Sequence, residues 1–200
     1  MNRSIFRYRV QIALFDLFDL IAFLVFVTGV ILFIRFFIFN PYTVVWQSME
    51  PLFHQGDFIV VDKITPRIGS LKRGDIIVFV PESRDVPFIK RVIGLPWEKV
   101  VIRNNNVLVC SWTGSEENCT RLEEFYLPDG TITSTAICKI DTFQVDKDSY
   151  FVMWDNRSQS TDSRCCFGLG CFENSNYLVH PRDVIGKVAL KVFPQLEWFW

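Results

Sequence analysis

Two patterns of apolar residues divide this chain. From Ile12 to Phe39 the sequence is almost continuously apolar, and Leu20 to Ile34 contains no charged residue. Beyond Asn40 the apolar residues come in short runs rich in Val, Ile and Phe, separated by Gly, Pro, Asn and Asp. The pattern predicts one helix over residues 12–39, followed by a mostly β, antiparallel sheet domain over residues 40–200.

The first segment has the length and composition of a membrane span. About 20 helical residues cross the ~30 Å core of a bilayer, and flanking charges such as Asp19 and Arg35 can lie at its two faces. A buried core helix and a cleaved signal peptide are the alternatives. The run is too long and too apolar for the first, and "FIFNPYTVV" offers no small-residue cleavage site for the second. We interpret 12–39 as an uncleaved transmembrane helix in a lipid bilayer.

The basic residues predict the orientation of this helix. Three arginines precede it: Arg3, Arg7 and Arg9. No Lys or Arg stands between Arg35 and Lys63. By the positive-inside rule, residues 1–11 lie in the cytoplasm and residues 40–200 lie outside, where disulfides persist.

The six cysteines fall into two groups. Residues 104–147, which we interpret as an inserted β-rich subdomain, contain Cys110, Cys119 and Cys138, and the short Cys110–Cys119 spacing suits a bridge across a hairpin. The second group is Cys165, Cys166 and Cys171. A zinc site is the rival interpretation, but the CxxC spacing typical of such sites is missing.

The overall charge excludes one class of partner. The chain has 21 Lys and Arg against 22 Asp and Glu, for a formal net charge of −1. A protein with no basic field is not expected to bind nucleic acid.

Two residues are candidates for nucleophilic chemistry. Ser48, in "VVWQSMEPLFHQGDFIVV", follows the predicted helix closely, and a serine hydroxyl needs a base to become a nucleophile. His54 is close in sequence but is better explained as a loop residue. In "PFIKRVIGL", strand alternation puts Lys90 on one face with Phe88 and Val92. Such a lysine is either a solvated strand residue or a base whose pKa burial has lowered.

A third segment, "MWDNRSQSTDSRCCFG", is dense in polar residues. An ordinary solvated loop is one interpretation. Because the segment follows an apolar strand, an ordered network that includes Asp155 is the other. If the chain is extended there, Ser160, Asp162 and Arg164 face the same way, and Asp162 can pair with Arg164.

Several motifs occur in an order that resembles a known family. They are "SMEP" with "GDFIVVDK", "RGDIIVF", "FIKRVIGLP", "DNRSQSTDSR" and "VIGKVALKVFP". In these the chain resembles the bacterial type I signal peptidases, which are membrane-anchored Ser/Lys proteases. The resemblance implies a largely β catalytic core and a reaction without metal or cofactor.

The resemblance also implies roles for single residues. Ser48 would be the nucleophile and Lys90 the general base, with Ser160 orienting the lysine amine. Asp155, Asp162 and Arg164 would support the site. The residues that match the family's shallow substrate pockets are Val44, Met49, Phe88 and Ile89. Substrates would be the signal peptides of exported preproteins, cleaved at the outer side of the bacterial cytoplasmic membrane near the protein translocation machinery.

The match is imperfect at four positions. Trp46, Trp97 and Trp154 stand where the family usually has small residues, and Leu52 replaces a common Thr. An indole near Lys90 either narrows the cleft, with altered specificity or weaker activity, or deepens the desolvation of the amine. Two other functions stay open: a Ser/Lys protease that matures one secretion or conjugation substrate, and an inactive relative that binds signal peptides. Retention of the three proposed catalytic residues argues against the second.

Overall fold

The chain folds into two units, Met1–Phe39 and Asn40–Trp200. The computed structural model describes residues 3–45, 49–82, 84–113, 118–135, 140–158, 161–168, 171 and 176–199, with side chains from residue 13 onward.

The first unit is a long helix. α1 (Arg3–Phe33) continues as a π-helix over Ile34–Ile38. The stretch Ala13–Ile38 is long and apolar enough to cross a membrane, and no part of its most apolar window is buried against protein. At 1.5 Å per residue its 26 residues extend about 39 Å, which exceeds the ~30 Å core of a bilayer. The predicted N-terminal apolar helix is thus confirmed, and its place in a membrane stays a prediction.

A larger sheet forms the centre of the second unit. Its strands are β1 (Phe39–Thr43), β2 (Phe58–Asp62), β3 (Ile76–Phe79), β4 (Phe88–Gly94), β9 (Phe151–Met153), β10 (Val184–Phe193) and β11 (Glu197–Trp198). The strand order is β1-β2-β10-β3-β4-β9, and β11 pairs with β10. β10 is antiparallel to β2, β3 and β11, and β4 is antiparallel to β3 and β9. The predicted antiparallel β-fold is confirmed.

Strand β10 approaches β2 so closely that one position requires glycine. A Cβ on Gly186 would lie 2.5 Å from the carbonyl oxygen of Asp62 and 2.5 Å from a methyl carbon of Val61. Such contacts are shorter than van der Waals distance, so any side chain there would push the strands apart. This glycine allows β10 to pair with β2 and β3 together, and β3 in turn positions β4.

A second sheet contains the remaining strands. They are β5 (Glu98–Arg103), β6 (Asn106–Ser111), β7 (Thr120–Arg121) and β8 (Thr142–Val145), in the order β7-β6-β5-β8. Asn104 and Asn105 both have positive φ, as a tight hairpin between β5 and β6 requires. The stretch predicted as an insertion, 104–147, holds three of these strands, and β5 lies just before it. The short helix α2 (Thr65–Ile68) follows β2.

Three clusters of buried apolar residues hold the second unit together. One packs the second sheet against β4 and β9, with Ile93, Phe143 and Phe151 among its members. The other two lie on opposite faces of the larger sheet: the first contains Val44, Met49 and Val78, and the second contains Ile77, Phe79 and Val92. Alternate residues of β3 and β4 therefore enter different clusters, as the period of two in a strand requires.

The cysteines of the second unit form disulfides. Cys110 is bonded to Cys119, as the spacing predicted, and Cys166 is bonded to Cys171. Cys165 is disulfide-bonded as well. Sulfur atoms in disulfides are not thiolate ligands, so the zinc interpretation is wrong for these five cysteines. Cys138 lies outside the described residues.

Candidate active site

The amine of Lys90 is buried between two aromatic rings. Lys90 lies in the middle of β4, opposite Ile77 of β3, and only 2% of its surface is exposed. Its Nζ lies 4.8 Å from the ring centroid of Phe88 and 4.2 Å from that of Trp154. It donates one hydrogen bond, of 2.9 Å, to the carbonyl oxygen of Ile89. Of the two interpretations of this lysine, the solvated strand residue is excluded by the burial.

Burial lowers the pKa of this amine. Desolvation lowers the pKa of Lys90 well below its ordinary value, and the nearby carboxylates of Asp162 and Asp155 offset only part of that effect. An ammonium group loses its hydration when buried, so the neutral amine is favoured. A neutral amine has a free lone pair and can accept a proton.

Lys90 lies in the wall of an apolar cleft of about 710 Å³. The lining residues described are Tyr42, Thr43, Val44, Val45, Ile59, Val78, Arg84, Val86, Pro87, Phe88, Ile89, Lys90, Trp154, Thr161 and Phe167. One side of the cleft comes from the end of β1 and the two residues after it, and the other comes from β4 with the residues before it and part of the polar segment after β9. Its size and apolar lining are typical of a ligand-binding cleft.

Three of the four predicted pocket residues line this cleft. They are Val44, Phe88 and Ile89. Met49 has no exposed surface and lies in the core cluster with Phe53 and Ile59, outside the described lining of the cleft. Its place in the structure is that of a core residue beneath the cleft wall.

Two predicted catalytic residues, Ser48 and Ser160, lie outside the described residues. Residues close to each in sequence are described. Val45 precedes Ser48 by three positions and lines the cleft, and Thr161 follows Ser160 and lines it too.

The predicted pair of Asp162 and Arg164 is present in the polar segment. Arg164 donates from Nε and Nη2 to the carboxylate of Asp162, at 3.0 and 2.8 Å, and both side chains are fully buried. The same carboxylate accepts hydrogen bonds from the backbone N–H of Trp154 and of Arg164. Asp162 therefore joins the end of β9 to the following segment, whose described residues form a buried hydrogen-bonded network and not a solvated loop.

Asp155 takes part in a second buried ion pair. Arg91, the neighbour of Lys90 in β4, donates from Nε and Nη2 to Asp155 at 2.8 and 2.6 Å, and a third hydrogen bond reaches the carbonyl oxygen of Gly74. Burial raises the pKa of Asp155, and the hydrogen bonds and charge of Arg91 oppose that rise. Arg91 was not among the site residues predicted from the sequence. β4 is buried on both faces, so a charged side chain on its second face, such as that of Arg91, needs a partner. This requirement could have indicated Arg91 as part of a buried ion pair.

Arg157 is a third buried arginine, and it too was not among the predicted site residues. Arg157 donates to the carbonyl oxygen of Trp154 at 2.7 Å, to Thr133 at 3.1 Å and to the carboxylate of Glu124. These hydrogen bonds tie the turn after Trp154 to residues more than twenty positions earlier in the sequence. No spacing in the sequence indicates the partner Glu124.

The tryptophans that depart from the family pattern lie in different environments. Trp154 covers the Lys90 amine, and its indole N–H is buried without an acceptor among the described residues. Trp97 is 57% exposed, has a positive φ and packs edge-on against Trp112 in a region away from the cleft lining. Trp46 lies outside the described residues, and Leu52 packs against the core cluster of Met49. Of Trp97 and Trp154, only Trp154 contacts Lys90 in the described structure.

Within the part of the chain that the structure describes, no group of three or more His, Cys, Asp or Glu side chains is arranged to hold a metal ion.

The known proteins that this chain matches are signal peptidases. The sequence model of the family "Signal peptidase, peptidase S26" matches residues 17–193. Signal peptidase I P of Bacillus subtilis subsp. natto is 34% identical over 168 residues, 80% of each chain. Signal peptidase I of Bacillus licheniformis is 32% identical over 184 residues, 90% of each chain. A solved signal peptidase I from Enterococcus faecalis V583 is 29% identical, with a TM-score of 0.43, over 60% of this chain and 97% of that one.

The buried pair of Arg91 and Asp155 predicts a large stability effect. Asp155→Asn removes the negative charge while Arg91 stays buried, so we expect the free energy of unfolding to fall by roughly 3–5 kcal/mol. Urea unfolding of the full chain in detergent micelles, followed by tryptophan fluorescence, measures this.

The exposed pair of Arg182 and Glu82 supplies the control. Its partners are 69% and 50% exposed, so Glu82→Gln should lower the free energy of unfolding by about 1 kcal/mol or less. Equal effects of the two substitutions would show that the buried pair does not hold β4 to the polar segment.

Proposed function

Because the chain belongs to the signal peptidase family of serine endopeptidases, peptidase S26, we propose that it cleaves N-terminal signal peptides from exported preproteins by a Ser48/Lys90 mechanism through an acyl-enzyme. The observation that carries the proposal is the buried amine of Lys90 in the wall of an apolar cleft. A serine nucleophile needs a base, and a neutral lysine amine can act as one.

The proposed reaction has two halves. The neutral amine of Lys90 takes the proton from the hydroxyl of Ser48, and the Ser48 oxygen attacks the carbonyl carbon of the scissile bond. The backbone N–H of Ser48 stabilises the oxyanion. The C–N bond then breaks, and the Lys90 ammonium returns its proton to the leaving amine. A water molecule, deprotonated by Lys90, then attacks the ester carbonyl, the bond to the Ser48 oxygen breaks, and the Lys90 ammonium returns the proton to that oxygen.

The polar segment supports this base. We assign to Ser160 the orientation of the Lys90 amine, since Thr161, the next residue, lines the same cleft. The pair of Asp162 and Arg164 fixes the segment, and the pair of Asp155 and Arg91 fixes β4 beside it. Both aspartates are engaged by arginines, which limits their stabilisation of a lysine ammonium.

The substrate would bind as an added strand. The pairing of β4 with β9 covers Arg91 to Gly94, so among the described pairings the edge of Phe88 to Lys90 opposite β3 has no partner strand. An extended peptide can add to such an edge, with alternate side chains entering pockets. Val44, Phe88 and Ile89 would form these pockets for the small residues that the family reads at the first and third positions before the cut.

A narrower function has one observation in its favour. The indole of Trp154 occupies the cleft beside the base, which reduces the space for substrate. A Ser/Lys protease that matures a single secretion or conjugation substrate would tolerate this. Incubation of the purified protein with several unrelated preproteins separates the two functions, because a general signal peptidase cleaves most of them and a specialised protease cleaves one.

We further propose that α1 anchors the enzyme in the bacterial cytoplasmic membrane. The helix is long and apolar enough, and the arginines before it favour a cytoplasmic N-terminus. The catalytic unit would then face the outer side, where preproteins emerge from the translocation machinery.

The proposed dyad predicts the effect of three variants. Ser48→Ala and Lys90→Ala should each lower kcat by about 10³-fold or more, and the double variant should be no worse, because residues that act as a unit are not additive. Preprotein cleavage in detergent, followed by gel electrophoresis or mass spectrometry, measures this. Ser160→Ala should lower kcat more than it raises KM.

Lys72→Ala is the matched control, because Lys72 is an exposed lysine of the same unit. It should retain full activity. Substantial cleavage by folded Ser48→Ala or Lys90→Ala protein would refute the dyad.

The proposed orientation predicts where an added protease can act. In intact spheroplasts, proteinase K should digest the region after Asn40 and leave the N-terminal arginines protected. Antibodies against tags at the two ends measure which part survives. If the catalytic unit is degraded only after lysis, the orientation is reversed.

A further inference from the structure

The segment Cys165–Gly168 has an unusual backbone. Three consecutive residues, Cys166, Phe167 and Gly168, have φ values of 49°, 57° and 84°. Residues other than glycine rarely adopt this left-handed region, because the Cβ then lies too close to the backbone. Such a conformation persists only where surrounding structure enforces it.

One disulfide and two backbone hydrogen bonds hold this left-handed conformation in place. The disulfide between Cys166 and Cys171 closes a loop with a sequence separation of 5. The backbone N–H groups of Cys165 and Phe167 both donate to the carbonyl oxygen of Asp162, at 3.1 and 3.0 Å. The segment is therefore tied on one side to the buried ion pair of Asp162 and on the other to the Cys166–Cys171 bridge.

This conformation places the ring of Phe167 at the cleft. The ring lies 5.5 Å from that of Phe79 and 6.3 Å from that of Phe88, in edge-on contacts with both. Phe167 lines the cleft and is only 2% exposed. Phe88 contacts both the Phe167 ring and the Lys90 amine, so Phe167 lines the same cleft as the proposed base with Phe88 linking the two.

We propose that Phe167 is a specificity-determining residue that limits the cleft to small substrate side chains, and that the Cys166–Cys171 disulfide holds it in that position. This inference rests on the proposed function. A rigid aromatic ring in the cleft wall excludes larger substrate side chains by steric overlap. Space for one more methylene group changes the ratio of kcat/KM between two substrates by about 10–200-fold.

The test uses two series of signal-peptide substrates. One series varies the residue immediately before the cut through Ala, Val, Leu and Phe, and the other varies the third residue before it. The measured quantity is the ratio of kcat/KM for the Ala substrate to that for the Leu substrate. In one of the two series, Phe167→Ala should lower this ratio by about tenfold or more. Phe167→Leu, which preserves more of the packing, should lower the ratio by a smaller factor.

Two disulfide variants complete the test. Cys166→Ser combined with Cys171→Ser should lower the same ratio, because Phe167 loses its support. The control is Cys110→Ser combined with Cys119→Ser, which removes a bridge in the second sheet and should leave the ratio unchanged.

The outcomes separate this inference from the function it rests on. If the wild-type protein cleaves no substrate, the proposed function fails and this inference fails with it. If the wild-type protein cleaves the Ala substrates and neither Phe167→Ala nor Phe167→Leu changes the ratio in either series, the inference alone is overturned. Equal changes from the two disulfide variants would overturn the role of the Cys166–Cys171 bridge.

Discussion

A lysine amine that water cannot reach must lose its proton or be paired with a carboxylate, and the arrangement around Lys90 favours the first. Its nearest described contacts are two aromatic rings and one carbonyl oxygen. The two carboxylates close enough to affect its pKa, those of Asp162 and Asp155, are each bound by the Nε and Nη2 atoms of an arginine. The arginine charges offset much of theirs, so desolvation dominates and the pKa of Lys90 is lowered.

The ion pairs of Asp155 and Asp162 also link β4 to the polar segment around Lys90. β4 carries Lys90 on one face and Arg91 on the other, and the bond from Arg91 to Asp155 ties the strand to the segment after β9. Asp162 accepts a hydrogen bond from the backbone N–H of Trp154 and also pairs with Arg164, so Trp154, which covers the amine, is tied to this ion pair. A change in either ion pair should therefore affect Lys90 through the backbone.

Features that depend on local pattern could be predicted from the sequence. The apolar helix, the two faces of β4 and the Cys110–Cys119 bridge each follow from spacing. The missed features depend on tertiary structure. β1 reads "FNPYT", with an Asn-Pro step of low strand propensity, and forms by pairing with β2. The partner of Arg157, Glu124, lies 33 positions away in an irregular stretch, and the position of the Trp154 indole depends on the fold of the polar segment.

The neutrality of Lys90 can be measured directly. With ¹³C- and ¹⁵N-labelled lysine in detergent micelles, the Cε and Nζ shifts of Lys90, assigned by their loss in Lys90→Arg, report its protonation as pH is varied. A midpoint well below the ordinary ~10.4 is expected, coinciding with the midpoint at which the cleavage rate rises with pH. Trp154→Gly, which admits water to the amine, should move both midpoints upward. A Lys90 midpoint at the ordinary lysine value, with cleavage active far below it, would contradict the neutral-base account.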